Sequence, residues 1–335
     1  NAAGGVLLFE TRAPEPSPFA ADLSAVYGRY GMGRFQGTAS GTTDRTDYVA
    51  SVSHNIWDGF RTNPLDEAGG TYGASTRSRL NSRVRWDAWG GRFTAIANGT
   101  VLKADNPGSI NDSILALGDR RAHTFNVLQQ TRKDLEQGQI GLSWAGDVAG
   151  TEASATTWGI LRNVDSWIPS SLVDLDRKAG GLRLTAGSGS GGDRTFGWSA
   201  GVEGELQRDR RANYRNERGV AGDLTLDQDE AVSGLGTYAQ GRWSPADRFQ
   251  LSGSLRYDRF AFEATDRFVT SENPDASGSR TMDAWSPALS FFADLSRGVG
   301  LFGGVATFFE TPTTTELANQ QGGAGGFNPD LEPTT

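Results

Sequence analysis

Guanidinium groups crowd one stretch of this sequence: Arg208, Arg210, Arg211, Arg215 and Arg218 follow one another closely, with Tyr214 among them. A planar, permanently charged fork binds carboxylate or phosphate through two parallel hydrogen bonds, and a neighbouring ring offers a stacking face. The chemistry on offer is therefore capture of an anion, not bond making. Smaller groups repeat the pattern, with Arg120 and Arg121 followed by Arg132 and Lys133, and Arg162 followed by Trp167. Each group has a plainer alternative. The arginines of 208–218 have Asp209, Glu217 and Asp223 at hand as ion-pair partners, and Trp167 with Ile168 and Pro169 can pack against its own scaffold.

Other chemistries find no residues to perform them. His54 and His123 are the only histidines, lie far apart and have no cysteine companion, so a transition-metal site is not expected. The acidic run Asp227-Gln228-Asp229-Glu230 lacks EF-hand spacing, and the glycines of 187–192 lack the Gly-Lys-Ser/Thr of a phosphate loop. There is no Gly-x-Ser-x-Gly elbow. The chain reads as no enzyme and as needing no cofactor. Its formal charge of -8 argues against a nucleic-acid partner.

The elements that must position the arginines show a period of two. In 249–257, Phe249, Leu251, Gly253, Leu255 and Tyr257 share one parity, and Gln250, Ser252, Ser254 and Arg256 the other. Phe196, Trp198, Ala200, Val202 and Leu206 alternate in the same way with Ser199, Glu203 and Glu205. Charged residues on one face exclude a doubly buried strand. No apolar run approaches the roughly 18 residues of a membrane-spanning helix, but a barrel strand needs only about 9 to 11 with every second one apolar.

This pattern predicts about thirteen strands, near 20–30, 33–42, 46–56, 71–88, 91–102, 137–146, 152–161, 179–187, 194–206, 231–243, 248–262, 284–295 and 299–309. Their connections alternate in length. Short ones fall at 43–45, 89–90, 146–151, 188–193, 244–247 and 297–298, and long ones at 57–70, 103–136, 162–178, 207–230 and 263–283, with another from 310. In an up-and-down meander, alternate connections share an end, so one end is trimmed and the other rich in loops. That asymmetry belongs to transmembrane β-barrels with short periplasmic turns and long extracellular loops. Tyr27, Tyr30, Trp57, Trp89, Trp243, Tyr257, Phe260 and Phe309 stand near strand ends, where interfacial girdles or ordinary packing would use them.

Particular segments add a family resemblance. The opening Asn1-Ala2-Ala3-Gly4-Gly5 through Thr11-Arg12 resembles the end of the plug domain of TonB-dependent receptors. Leu23 to Gly31 resembles the first barrel strand, Trp57-Asp58-Gly59-Phe60-Arg61 the segment after the third, and Asp105-Asn106-Pro107-Gly108 a loop of siderophore-type members. Phe308 to Leu317, then Phe327-Asn328-Pro329-Asp330-Leu331-Glu332-Pro333, is similar to the mid-barrel signature. The resemblance implies residues 1–14 as the end of a plug and 15–335 as the first part of a barrel of about 22 strands, with the later strands beyond Thr335.

It also implies a Gram-negative outer-membrane location, contact with outer-membrane lipid, and uptake of a ferric siderophore or similar nutrient energised by the TonB complex. Cobalamin or carbohydrate receptors, and a passive porin or adhesin, are the alternatives. On that reading Arg120, Arg121, Arg132, Arg162, Trp167, Arg208, Arg210, Arg211, Tyr214 and Arg215 are the candidate ligand-binding residues, placed in the long loops.

Overall fold

The computed structural model describes residues 10–188, 195–246, 248–296, 298–318, 327, 328 and 330–334. One antiparallel sheet of 13 strands dominates it, each strand paired with its neighbours in chain order. The strands are β1 (Ala20–Tyr27), β2 (Gly33–Thr42), β3 (Thr46–Trp57), β6 (Ser75–Ala88), β7 (Gly91–Asp105), β8 (Arg132–Val148), β9 (Thr151–Ile168) and β10 (Ser171–Gly187). They continue as β11 (Phe196–Glu217), β12 (Val220–Ala246), β13 (Phe249–Asp266), β14 (Gly278–Ser296) and β15 (Val299–Ala306). The missing numbers, β4 (Arg61–Thr62) and β5 (Thr71–Tyr72), form a small hairpin within the β3–β6 connection. Helices α1 (Asp112–Ala116) and α2 (Thr124–Leu128) lie in the β7–β8 connection, and α3 (Thr314–Leu317) follows β15.

Residues directly opposite across antiparallel strands share a face, so alternation along each strand becomes segregation across the sheet. One face gathers Leu23, Ile140, Leu161 and Leu206, which stand 87%, 68%, 64% and 66% exposed. In water such a continuous apolar face would forgo roughly 1.5–3 kcal/mol per large side chain. The outward apolar run of β11, Phe196 to Leu206, has the length of a tilted strand that crosses a bilayer. No helix among the described residues is long and apolar enough to do so.

The edge of this apolar band nearer the long connections is marked by Ile56 on β3, Leu161 on β9, Leu206 on β11, Leu235 on β12 and Tyr257 on β13. Followed through the strand pairing, that edge slips steadily from one register row to the next. Strands tilted against a barrel axis produce this slant, because a row perpendicular to the strands then runs obliquely to the membrane plane. Tyr257 packs on Trp285 at 4.9 Å between ring centres at this edge. Tyr27, Trp89 and Trp243 are exposed in the manner of girdle residues, whereas Phe260 and Phe309 are not part of a girdle. These two join Phe262, Met282 and Leu317 in a cluster on the opposite, polar face. The segment after β15 folds back there, fixed by the Thr313–Glu316 capping box and the Glu310–Thr334 pairing.

Two of the long connections are not loops. Residues 162–168 and 171–178 extend β9 and β10 to a tip at Pro169-Ser170, and 207–217 with 220–230 extend β11 and β12 to Arg218-Gly219. The pattern hid them because above the apolar band the outward face turns polar and the alternation breaks or reverses phase, as where Val173 and Leu175 share the inner parity and Asp174 and Asp176 the outer. The tip at Arg218-Gly219 has φ of 58° and 86° at its two central residues, the mirror-image turn that matches strand twist. Trp89-Gly90 and Ala149-Gly150 do the same at the other end. The connection 103–136 contracts to 106–131 and that at 263–283 to 267–277. The expected turn at 188–193 and the opening glycine pair lie largely outside the described residues.

Candidate ligand-binding wall

On the polar face one register row runs through ten strands: Ser24, Gln36, Ser53, Arg79, Thr100, Gln137, Arg162, Arg177, Asp209 and Glu230, each opposite the next. The next row towards the long connections reads Val26, Arg34, Asn55, Arg77, Leu102, Leu135, Val164, Leu175, Arg211 and Gln228. From β1 to β9 these two rows contain four arginines, Arg34, Arg77, Arg79 and Arg162, and no carboxylate. None of the four is in an ion pair among the described residues. Neutral amides hold two of them: Arg34 donates to Gln36 Oε1 at 2.7 Å and Arg162 Nε to Gln137 Oε1 at 2.6 Å. An amide orients a guanidinium without neutralising it, so this wall keeps its positive charge.

From β10 to β12 the same rows are interleaved. Arg177 forms a bidentate pair with Asp209, Nη2 to Oδ2 at 2.6 Å, and Asp209 also accepts from Gln207 Nε2 at 3.1 Å. Arg211 stands 3.8 Å from Glu230 and donates to Thr315 Oγ1 at 3.2 Å, tying the segment around α3 to the wall. Nearer the short turns, Arg256 bridges Asp258 and Glu203, and Glu203 also takes Arg183 at 2.7 Å.

The long connections of the first strands lock together. Thr62 N–H donates to Arg120 O at 3.0 Å, Ala122 N–H to Thr62 O at 2.8 Å, and the Arg61 guanidinium to Arg121 O at 2.7 Å. Asn106-Pro107-Gly108 closes the base of the 106–131 loop. Asn106 Oδ1 accepts from Gly108 N–H at 3.0 Å, and Asn106 exchanges hydrogen bonds with Thr131 through its N–H at 2.8 Å and its carbonyl at 2.8 Å. Gly108 has a φ of 72°, and a Cβ there would stand 2.7 Å from Asn126 and His123, so the site requires glycine.

The candidates read from sequence are dispersed by these facts. Arg162, Arg211 and Arg215 lie on the polar face, whereas Arg132, Trp167, Arg208, Arg210 and Tyr214 lie on the apolar-face parity, above the band. Arg132 and the seven from Arg162 to Arg215 were expected in loops and sit instead on strands, Arg132 at the start of β8 and Trp167 near the end of β9. Trp167 is 8% exposed with the Arg132 guanidinium stacked over it at 4.2 Å. Arg120 reaches the Tyr30 hydroxyl at 3.4 Å, and Arg121 is paired with Asp119, whose carboxyl its hydrogen bond holds below the usual range. Arg34, Arg77 and Arg79 escaped the sequence reading because the search followed the long connections, and Arg177 was passed over within the expected connection 162–178. The signal was present in β6, where Arg77, Arg79, Arg83 and Arg85 share one parity.

The family model described as TonB dependent receptor-like, beta-barrel matches residues 18–335. The chain belongs to this family. Its members are transport receptors rather than enzymes, and in such barrels the polar face turns inward and the apolar face outward. The receptor barrel's structure is similar to the ferric yersiniabactin uptake receptor FyuA of Yersinia pestis, with a TM-score of 0.71 and 15% identity over 96% of this chain and 50% of that one. The copper transporter OprC gives 0.68 and 16% identity over 97% and 51%. The ferric-catecholate import receptor Fiu of E. coli, in its open form, gives 0.66 and 12% over 90% and 56%. The chain thus spans about half the length of these structures, and at such identities the likeness is one of fold. No curated protein sequence matches it.

Proposed function

We propose that this chain is the first part of the barrel of an outer-membrane receptor that imports an anionic metal chelate, a ferric siderophore foremost, with energy supplied through TonB. The single observation behind the choice of ligand is the set of four arginines on the inner wall of β2, β6 and β9 with no carboxylate among them. A water-filled lumen bounded by low-dielectric walls concentrates the field of such charges and draws anions in. Forked donors then hold carboxylate or catecholate oxygens as hydration is stripped away. Two of the similar structures are named as uptake receptors for ferric chelates, which agrees with this chemistry.

Residues 1–14 would end a plug and 15–335 begin the barrel. In support, Arg83, on the inner face of β6, donates to the carbonyls of Thr11 and Arg12 at 3.1 and 3.4 Å, so the described part of the leading segment lies against the inner wall. The transport cycle calls for no covalent chemistry by these residues. They attract, orient and release.

The test is uptake of radiolabelled ferric siderophores by cells producing the full-length receptor, with and without a functional TonB system. TonB-dependent accumulation of an anionic chelate is expected. Uptake restricted to cobalamin or a neutral carbohydrate would overturn the ligand class, and leakage independent of TonB would overturn the receptor reading in favour of a porin.

A further inference from the structure

Two cations that the sequence seemed to offer to a ligand, Arg208 and Arg210, face away from the lumen, and Lys178 joins them there. On the outer face Lys178 of β10 stands directly opposite Arg208 of β11, flanked in the same row by Leu161 and Ala231, with Arg210 one row above. Like charges directly opposite each other destabilise a sheet, and neither Lys178 nor Arg208 is in an ion pair among the described residues. The nearest carboxylates in the row above are engaged elsewhere. Asp176 accepts from Asn163 Nδ2 at 2.7 Å, and Asp229 is paired with Arg267.

Depth and shape identify what belongs there. Leu206, the last large aliphatic residue of β11, lies immediately below Arg208, so the two cations sit where hydrocarbon gives way to headgroups. Beneath them is a groove of about 610 Å3 whose lining pairs the outward residues Gly180 with Leu182 and Gly204 with Leu206. Only the single inward residue between each pair joins it, which places the groove on the outer face. The two glycines leave it open, and a Cβ at Gly204 would meet only the Gly234 carbonyl at 3.9 Å.

We propose that this is a binding site for a phosphorylated lipid of the outer leaflet, its phosphate held between Lys178 and Arg208 and an acyl chain lying in the groove. The proposal rests on the outer-membrane reading above. Opposite charge is what makes a Lys–Arg pair at this depth favourable, and each basic residue at a membrane surface adds to the attraction. The site commits to lipid rather than free phosphate because the groove continues the cations into hydrocarbon.

The full-length receptor, purified from outer membranes, is placed in nanodiscs of phosphatidylethanolamine with or without lipid A, and bound lipid is counted by native mass spectrometry. The wild type is expected to retain lipid A, and the double variant K178Q/R208Q to lose it by roughly tenfold or more. G204L, which fills the groove without touching the charges, should also lower retention, while R77Q/R79Q on the inner wall should not. Wild-type retention by K178Q/R208Q in correctly inserted, heat-modifiable receptor would overturn the proposal alone. Absence of the receptor from the outer-membrane fraction would overturn the barrel reading with it.

Discussion

The inner wall of β2–β9 and that of β10–β13 obey one rule of alternation and reach different electrostatic states. In the first, Arg34 and Arg162 are held by glutamine amides, and Arg77 and Arg79 stand opposite Asn55, Leu102, Ser53 and Thr100 with no carboxylate in their rows from β1 to β9. In the second, Arg177 is matched to Asp209 directly opposite and Arg211 stands beside Glu230, whereas nearer the short turns both walls pair their arginines, Arg83 and Arg85 with Asp47 and Arg183 and Arg256 with Glu203. Paired charges satisfy one another and hold strands in register, whereas unpaired charges remain available to something that arrives later. A count of arginines says nothing of availability; the identity of the residue opposite decides it.

The comparison breaks most plainly if the first wall is discharged. R77Q/R79Q should weaken binding of an anionic chelate by about 10- to 100-fold, a loss of roughly 1.5–3 kcal/mol in total because glutamine keeps a donor at each position, as read by equilibrium binding to the purified full-length receptor. The lysine pair should recover part of it, since charge survives but the fork does not. Unchanged affinity in R77Q/R79Q would remove this wall from the site.

The second wall should answer in stability instead. Asp209→Asn leaves Arg177 without its partner beside a residue that is 3% exposed. The cost should be about 2–3 kcal/mol, below the 3–5 of a fully buried pair because Arg177 keeps access to solvent. A lowered temperature of heat-modification with uptake intact at low temperature is the expected result, and lost affinity without lost stability would merge the two walls into one site.

A smaller effect concerns the roof of the first wall. Asn106→Ala removes the acceptor for Gly108 N–H and should loosen the 106–131 loop by about 1 kcal/mol. Limited proteolysis should then cut within 106–131 sooner, and an unchanged cleavage rate would show that Thr131 alone closes the loop.

The smallest effect is expected from pH at the tip where the walls meet. Above the apolar band, burial and then neighbouring carboxylates raise the Asp165 and Asp174 carboxyls above their ordinary range. A raised carboxyl binds its proton more tightly in the folded state, so its ionisation disfavours the tip as pH rises through that raised value, and the tip firms as pH falls. Amide exchange at 163–176, corrected for its intrinsic pH dependence, should slow modestly on mild acidification. Faster exchange would mean that Arg132 and Arg210 outweigh the carboxylates.

Much of the fold was legible because the bilayer writes a strict period of two. Phe249 to Tyr257 and Phe196 to Leu206 alternate cleanly, and the thirteen strands and their trimmed end follow from such segments. The extensions of β9 to β12 were illegible for the complementary reason: above the band the outward face meets water, so the phase breaks or reverses, with Asp174 and Asp176 facing out while Val173 and Leu175 face in. The site suffered from this twice. Residues taken for loop became strand, and strand parity then sent Arg208 and Arg210 outward while Arg211 stayed inside. Which side of a strand faces the lumen can be read from Leu206 and Gln207, but only once the strand is known to continue past them.

The slanted apolar edge bears on how cargo would travel. With strands about 4.8 Å apart and tilted near 40°, a register row changes height by about 3 Å from one strand to the next. Arg162 and Arg79 share a row but lie three strands apart, so Arg79 sits lower as well as farther round the wall. A chelate handed from the first to the second would turn about the barrel axis as it sinks, as on a spiral ramp whose pitch is set by backbone hydrogen bonding rather than by any side chain.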